Sequence, residues 1–408
     1  LARGTLGDEP REVDVRVLCR PPDWGIVDPV DFRHSMTITA QLLTDGGLSD
    51  DPYDRVGAFL GEQLQGTADV RFVQKFDGVA GLHPYELFLT VFGNDESVGQ
   101  GLDLRVWDAS ACQELGLVLE DYDFDINAAH GSPTSPATIT ATSQIISNVP
   151  FAAGWNWFSL NLRADNMAVG DLLQALAPAG SDILRDQSTF SQFVDGFGWV
   201  GSLQQLRNES MYLLRLAQPD TLQMIGYSVD VEQTPIAIAD GWNWIGYLPQ
   251  QSLPVDEAFE SLGATTGDVV KSQSQFAQFV EGLGWLGNLG FMNPKRGYRL
   301  FAQQSGVLSY PLSATPVGSP AGRVVAQAPT PHGWQLDPFA YRHSMTLIVD
   351  VAGEARLDAV DDIVAAFQGD QIRGLGHTLY LADRDHYLSF LMIHGNGDDK
   401  TPVTFRLF

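Results

Sequence analysis

From Met36 to Leu42 apolar and polar residues alternate without a break, which places Met36, Ile38, Ala40 and Leu42 on one face. A period of two marks a strand with one buried side. The same alternation returns at Met345, Leu347, Val349 and Val351. Further strands are predicted at 56–60, 85–92 and 102–107, and again at 363–368, 387–394 and 403–408. Turn-rich stretches such as 44–52 separate them, and regular strands with little helical period predict an antiparallel β-sandwich. The middle of the chain carries a second period. Val169, Leu172, Leu173 and Leu176 stand at i, i+3, i+4 and i+7, and Val255, Ala258, Phe259 and Leu262 repeat the stripe. Each stripe predicts a short amphipathic helix. With a closing strand at 212–216 or 298–301, each of these regions reads as a small α+β unit.

The two patterns belong to two duplications. Phe32-Arg-His-Ser-Met-Thr returns as Tyr341-Arg-His-Ser-Met-Thr, and Gly154-Trp-Asn-Trp-Phe returns as Gly241-Trp-Asn-Trp-Ile. Asp182-Ile-Leu-Arg-Asp-Gln-Ser-Thr-Phe190 aligns with Asp268-Val-Val-Lys-Ser-Gln-Ser-Gln-Phe276, and Gly196-Phe-Gly-Trp199-Val-Gly-Ser-Leu203 aligns with Gly282-Leu-Gly-Trp285-Leu-Gly-Asn-Leu289. The order is A–B–B–A′: a mainly β, multi-domain chain with antiparallel sandwich outer modules and two tandem α+β inner modules. The expected boundaries are an arm or linker at 1–23, sandwich A at 24–127 and a linker at 128–145. Units B1 and B2 follow at 146–232 and 233–316, then a linker at 317–333 and an incomplete sandwich A′ at 334–408. The two linkers are rich in Ser, Thr, Pro and Ala, a composition that favours extended spacers.

Charge narrows the partners. Fifty acids oppose 24 bases for a net charge of −26, and only four of the bases are lysines. Such a field repels phosphate backbones, which argues against nucleic acid. No apolar run approaches bilayer-spanning length, so membrane insertion of this segment is not expected. An apolar fraction of 44% excludes wholesale disorder. Cys19 and Cys112 both fall in or beside A, which makes one disulfide within that module a candidate and hints at an oxidising compartment. Asn208-Glu-Ser210 fits the glycosylation sequon, a single match close to chance. The sequence starts at Leu1 without a leader, as a processed protein or an excised segment would.

Candidate chemistry is sparse. Asp45, Asp50, Asp51 and Asp54 in A, with Asp358, Asp361 and Asp362 in A′, could hold Ca²⁺ through flexible oxygen ligation. Asp-rich turns equally serve their own backbone hydrogen bonds. His34 and His343 have no second His or Cys at ligand spacing, which favours a structural role. Trp155, Trp157, Trp199, Trp242, Trp244 and Trp285 could stack on pyranose rings, but repeated Trp flanked by Gly also supplies core area to a small unit, and that reading is favoured. There is no G-x-S-x-G elbow, H-E-x-x-H, P-loop or Cys-x-x-Cys, and no catalytic or cofactor-binding residue is assigned.

Trp-x₃-Asp-Pro-x₂-Phe-x-x-Ser-Met-Thr at 24–37, followed by Asp54-x-Val-Gly-Ala-Phe59 and Gly66, resembles a β-sandwich module of large secreted bacterial cell-surface proteins. The Gly-Trp-Asn-Trp units resemble a second module found beside it. The resemblance implies secretion and surface display and no particular reaction. Such modules often carry a Cys just before the glycine matching Gly66, where this chain has Gln65. A continues past Trp107 to about Ile126, whereas A′ stops at Phe408, the position matching Trp107. Either the segment is cut from a longer array, or A′ is incomplete in its own chain and its unpaired edge invites strand addition, with the alternating arm Val13, Val15, Val17 as a donor. The expectation is a non-enzymatic extracellular structural or adhesive protein, a rod or filament segment whose partners are copies of itself or other surface proteins. The alternative is a secreted carbohydrate-binding protein, or a non-catalytic appendage of a secreted polysaccharide-degrading hydrolase or lyase.

Overall fold

A computed structural model describes the chain except residues 1, 6–9, 14–18, 20, 75–83, 313–333, 352–355, 383 and 398–400. Half of the chain is strand and 7% is helix. It forms two compact units, Leu1–Ile146 and Ser147–Phe408. Most of the Val13, Val15, Val17 arm and the linker expected at 317–333 lie outside the described residues.

In the first unit, His34–Thr44 pairs antiparallel with Tyr85–Gly93, and Arg55–Leu60 lies between Gln63–Asp69 and Gly101–Asp108. The alternation seen in the sequence does what it predicts: Met36, Ile38, Ala40 and Leu42 meet Val56, Ala58, Leu104 and Val106 in one core. Gly66 is required by packing, because a Cβ there would collide with the Thr90 carbonyl oxygen. Gly374 stands in the same relation to the Met392 carbonyl. Cys19 and Cys112 form a disulfide with Cα atoms 5.4 Å apart.

One expectation fails here. Residues 128–145 are not a spacer. Ala137–Thr142 is a strand running parallel to His34–Thr44, and Ile139 and Ala141 are fully buried in the core. Its Ala-Thr-Ile-Thr-Ala-Thr composition reads as linker, yet alternation of small apolar residues with threonine also suits a half-buried strand. Burial decided between the two.

The second unit contains two sheets of the same order. Gly154–Phe158, Tyr212–Leu216, Ile183–Arg185, Phe190–Val194 and Gly198–Gly201 form the first. Gly241–Ile245, Tyr298–Ala302, Val269–Lys271, Phe276–Val280 and Gly284–Gly287 form the second. The strands that close each sequence repeat therefore sit inside their sheets. The predicted helices are a single turn each, Val169–Leu172 and Val255–Ala258, and both run on into a 3₁₀ turn. A third sheet of five antiparallel strands is ordered His343–Val349, His386–Gly395, Gln371–Leu381, Ile363–Gln368 and Thr404–Leu407, and smaller sheets of two or three strands accompany the three.

Each Gly-Trp-Asn-Trp motif has a local logic. Gly154 and Gly241 hold φ of +96° and +89°, where a side chain would be strained. Two residues on, Asn156 accepts from the Ala152 N–H and donates back to the Ala152 carbonyl, and Asn243 does the same with Ala239. The asparagine fixes the turn, which aims both tryptophans to one side of the strand.

Candidate functional site

The two Trp-bearing strands are clasped to each other's half of the unit. Gln273 donates from Nε2 to the Trp155 carbonyl at 2.6 Å and accepts at Oε1 from the Trp157 N–H at 3.0 Å. Gln187 returns the same pair of bonds to Trp242 and Trp244, at 2.8 and 3.0 Å. Backbone contacts are reciprocal as well. The Gly246 N–H donates to the Glu209 carbonyl at 2.8 Å, and the Ser159 N–H donates to the Lys295 carbonyl at 3.3 Å. The repeats are thus interlocked through their aromatic strands, not laid end to end.

Four cations lie among the indoles. The Arg299 guanidinium sits between Trp157 and Trp244, 4.1 and 4.2 Å from the ring centroids. Arg185 lies 5.7 Å from Trp244, the Lys271 ammonium 4.8 Å from Trp242, and Arg342 5.5 Å from Trp155. Among the described residues none of the four makes an ion pair, although acids outnumber bases two to one in the chain. Indole faces take the place of carboxylates, a contact worth up to about 2 kcal/mol when desolvated. Burial lowers the Arg299 pKa to about 10, with repulsion from Arg185 and Arg342 adding to it. Burial, then Arg299, lowers Lys271 to about 8. Crowding cations next to tryptophan in this way builds a staple between the two halves.

Beside the clasp are two matching clefts. One, of 510 Å³, is lined by Gln187, Gln205, Arg207, Tyr212 and Trp244. Its counterpart, of 320 Å³, is lined by Gln273, Asn293, Arg296, Tyr298 and Trp157, and also by Pro338 and Phe339 of the third sheet's entry turn. The first is open polar space with an indole at its wall.

The six tryptophans proposed for sugar stacking are accordingly dispersed in role. Trp157 is buried, with Trp155 and Trp244 packed beside it. Trp285 packs on Phe259 and Phe279, and Trp199 on Phe193. Only Trp242, at 43%, is exposed.

The acidic residues proposed for calcium are engaged locally. Asp45 accepts from the Thr142 hydroxyl and the Ser143 N–H, Asp51 from the Tyr53 N–H, and Asp362 from the Asp358 and Ala359 N–H groups. Asp54 accepts from the Ser49 hydroxyl and the Ala109 N–H, and burial raises its pKa despite those bonds. Asp50, Asp358 and Asp361 are exposed. Among the described residues no three His, Cys, Asp or Glu side chains are gathered as metal ligands. His34 pairs with Asp95 at 2.7 Å, while His343 is exposed and lacks that acid, Gly397 standing in its place.

Sequence reasoning overlooked Gln187, Gln273, Lys271 and Arg299. The glutamines carried a signal, being identical in the aligned segments at a surface-turn position. Arg299 carried none, since its counterpart is the buried Leu213. No protein-family profile matches this sequence, and no curated protein or solved structure matches it either.

Proposed function

We propose that the chain is a segment of an extracellular structural or adhesive protein, built as A–B–B–A′ from modules that recognise one another through sheet faces. One observation carries the reading. Phe276 and Leu286 of B2 share a core with Phe390 and Met392 of A′, and the Phe276 and Phe390 rings lie 5.7 Å apart. A module that spends its second face on a neighbour is doing the work of a building block, and burial of this kind is the main driving force of association. The Trp–cation staple and the paired glutamines hold the inner modules in one register, as a load-transmitting element requires. The acidic surface keeps such a protein dispersed.

A second reading rests on the 510 Å³ cleft, whose glutamines, Arg207, Tyr212 and Trp244 are groups that bind a glycan. Negative-stain microscopy with scattering on the full chain, beside a glycan-array screen, tests the two together. Concentration-dependent rods or filaments that bind no glycan support the structural role. A compact monomer with saturable glycan binding, lost on Gln205→Ala with Arg207→Ala, replaces it with the second.

A further inference from the structure

The A′ sheet covers one face of B2, and B1 carries the same face uncovered. Phe276 on the Phe276–Val280 strand is 1% exposed beneath A′, and Leu286 on the neighbouring strand is 6% exposed. The aligned residues of B1 are Phe190, 54% exposed, and Val200, 51% exposed. Val194 and Phe197, which match Val280 and Leu283 at the edge of the covered face, are exposed as well. The register is the same in both halves: Gln192 faces Val200 across the strand pair as Gln278 faces Leu286. A contiguous exposed apolar cluster is the kind of surface that docking sites use.

The covered face also shows how its occupant is held. Lys271 donates to the Ser344 carbonyl of A′ at 3.1 Å, Arg342 of A′ lies over Trp155, and a Cβ at Gly154 would collide with the Phe339 carbonyl of the A′ entry turn. Each acceptor element has a counterpart, half-buried at Arg185 and exposed at Trp242, which carries the Lys271 ammonium on its ring. Arg185 stands for Lys271, exposed Trp242 for Trp155, and Gly241, which has open space where a Cβ would be, for Gly154.

The donor elements recur in A. Arg33 matches Arg342 and is exposed, in an exposed ion pair with Asp95 that docking would exchange, and Val30 matches Phe339 and is exposed on an equivalent 3₁₀ turn. Phe88 matches Phe390, since each pairs with the residue five positions after the motif histidine, Thr39 or Ile348. Phe390 is buried on B2, whereas Phe88 is 45% exposed.

We infer that module A of a second copy docks on the B1 face through Phe88, Val30 and Arg33, reproducing the contact that A′ makes with B2. This rests on the structural reading above and supplies its partner. Because the two surfaces differ, the contact is head-to-tail and leaves a free donor and a free acceptor for a further copy. Thr90 and exposed Arg71 stand in A where Met392 and Leu379 stand in A′, so the donor face is less apolar and a weaker contact than that of A′ with B2 is expected.

The test uses the full chain with Phe190→Asp and Phe88→Asp, both at exposed positions, followed by sedimentation velocity over a concentration series. The wild type forms a ladder of oligomers, and each variant alone remains monomeric. An equimolar mixture of the two gives a dimer and nothing larger, because one intact donor meets one intact acceptor. That dimer also shows that both variants are folded. A wild type that stays monomeric, or variants that assemble as it does, overturns the inference. Assembly that both variants leave intact removes this contact and leaves the structural role standing.

Discussion

B1 and B2 share a strand order, a glycine–asparagine turn and a reciprocal glutamine clasp, yet differ in the fate of one face. In B2 that face is core, because A′ lies on it; in B1 its apolar residues meet solvent. The difference teaches that a hydrophobic position specifies burial only when something is there to bury it. A and A′ repeat the lesson. Met36 and Met345 follow the same Arg-His-Ser motif, but Met36 is 1% exposed and Met345 is 52% exposed. In A, Ala137–Thr142 pairs with the outer edge of the His34–Thr44 strand. Among the described residues, His343–Val349 pairs on one side only.

Truncation should separate the two inner faces most widely. Phe276→Ala is expected to cost about 3–5 kcal/mol through the cavity it leaves, against about 0.5 kcal/mol or less for Phe190→Ala in dilute solution. Urea unfolding measured on the intact chain checks both, and equal losses would break the comparison. Raising the concentration sharpens it, since a docked face should give Phe190→Ala a larger penalty.

Next comes the outer pair. Met36→Ala should lower stability by about 2–4 kcal/mol, whereas Met345→Ala should cost below about 1 kcal/mol. Two separate melting transitions, one for each compact unit, would show which one each variant moves.

Acid should act on A′ and spare A at a matched site. Burial, with Lys271 contributing, lowers His394 from 6.5 to about 4, and Phe92 occupies the matching position in A. The folded state therefore holds this imidazole neutral. Its contribution is complete above pH 6.5 and is lost as pH falls toward 4, by about 3 kcal/mol across the window. In His394→Phe the stability of the second unit should fall less over that range, and an unchanged slope would show that other groups carry it.

The clasp should give the smallest effect. Gln273→Ala strips partners from the Trp155 carbonyl and the Trp157 N–H at a partly buried site, for an expected loss of about 1–2 kcal/mol. Gln187→Ala, whose bonds are exposed, should cost about half as much. Trp fluorescence during unfolding reports both.

Much of the fold was legible because its signals are local. The alternation from Met36 to Leu42, the glycine-flanked tryptophans and the motif repeats each act over a few residues, so they fixed where strands run and which segments match. The stretch 128–145 was misread because its composition suits a spacer as well as a strand, and only the groove beside His34–Thr44 distinguished them. At the site, the paired glutamines were visible as repeats without a stated purpose, and Arg299 was not visible at all. Arg299 is the cross-strand partner of Trp244, but whether it also lies against Trp157 depends on a contact across 142 residues of sequence. The sequence by itself determined which segments match, the dominance of strands and their apolar faces, since these follow from motif recurrence and side-chain periodicity. Tertiary structure alone decided which of those faces became interior, because burial belongs to a pair of surfaces and not to either one.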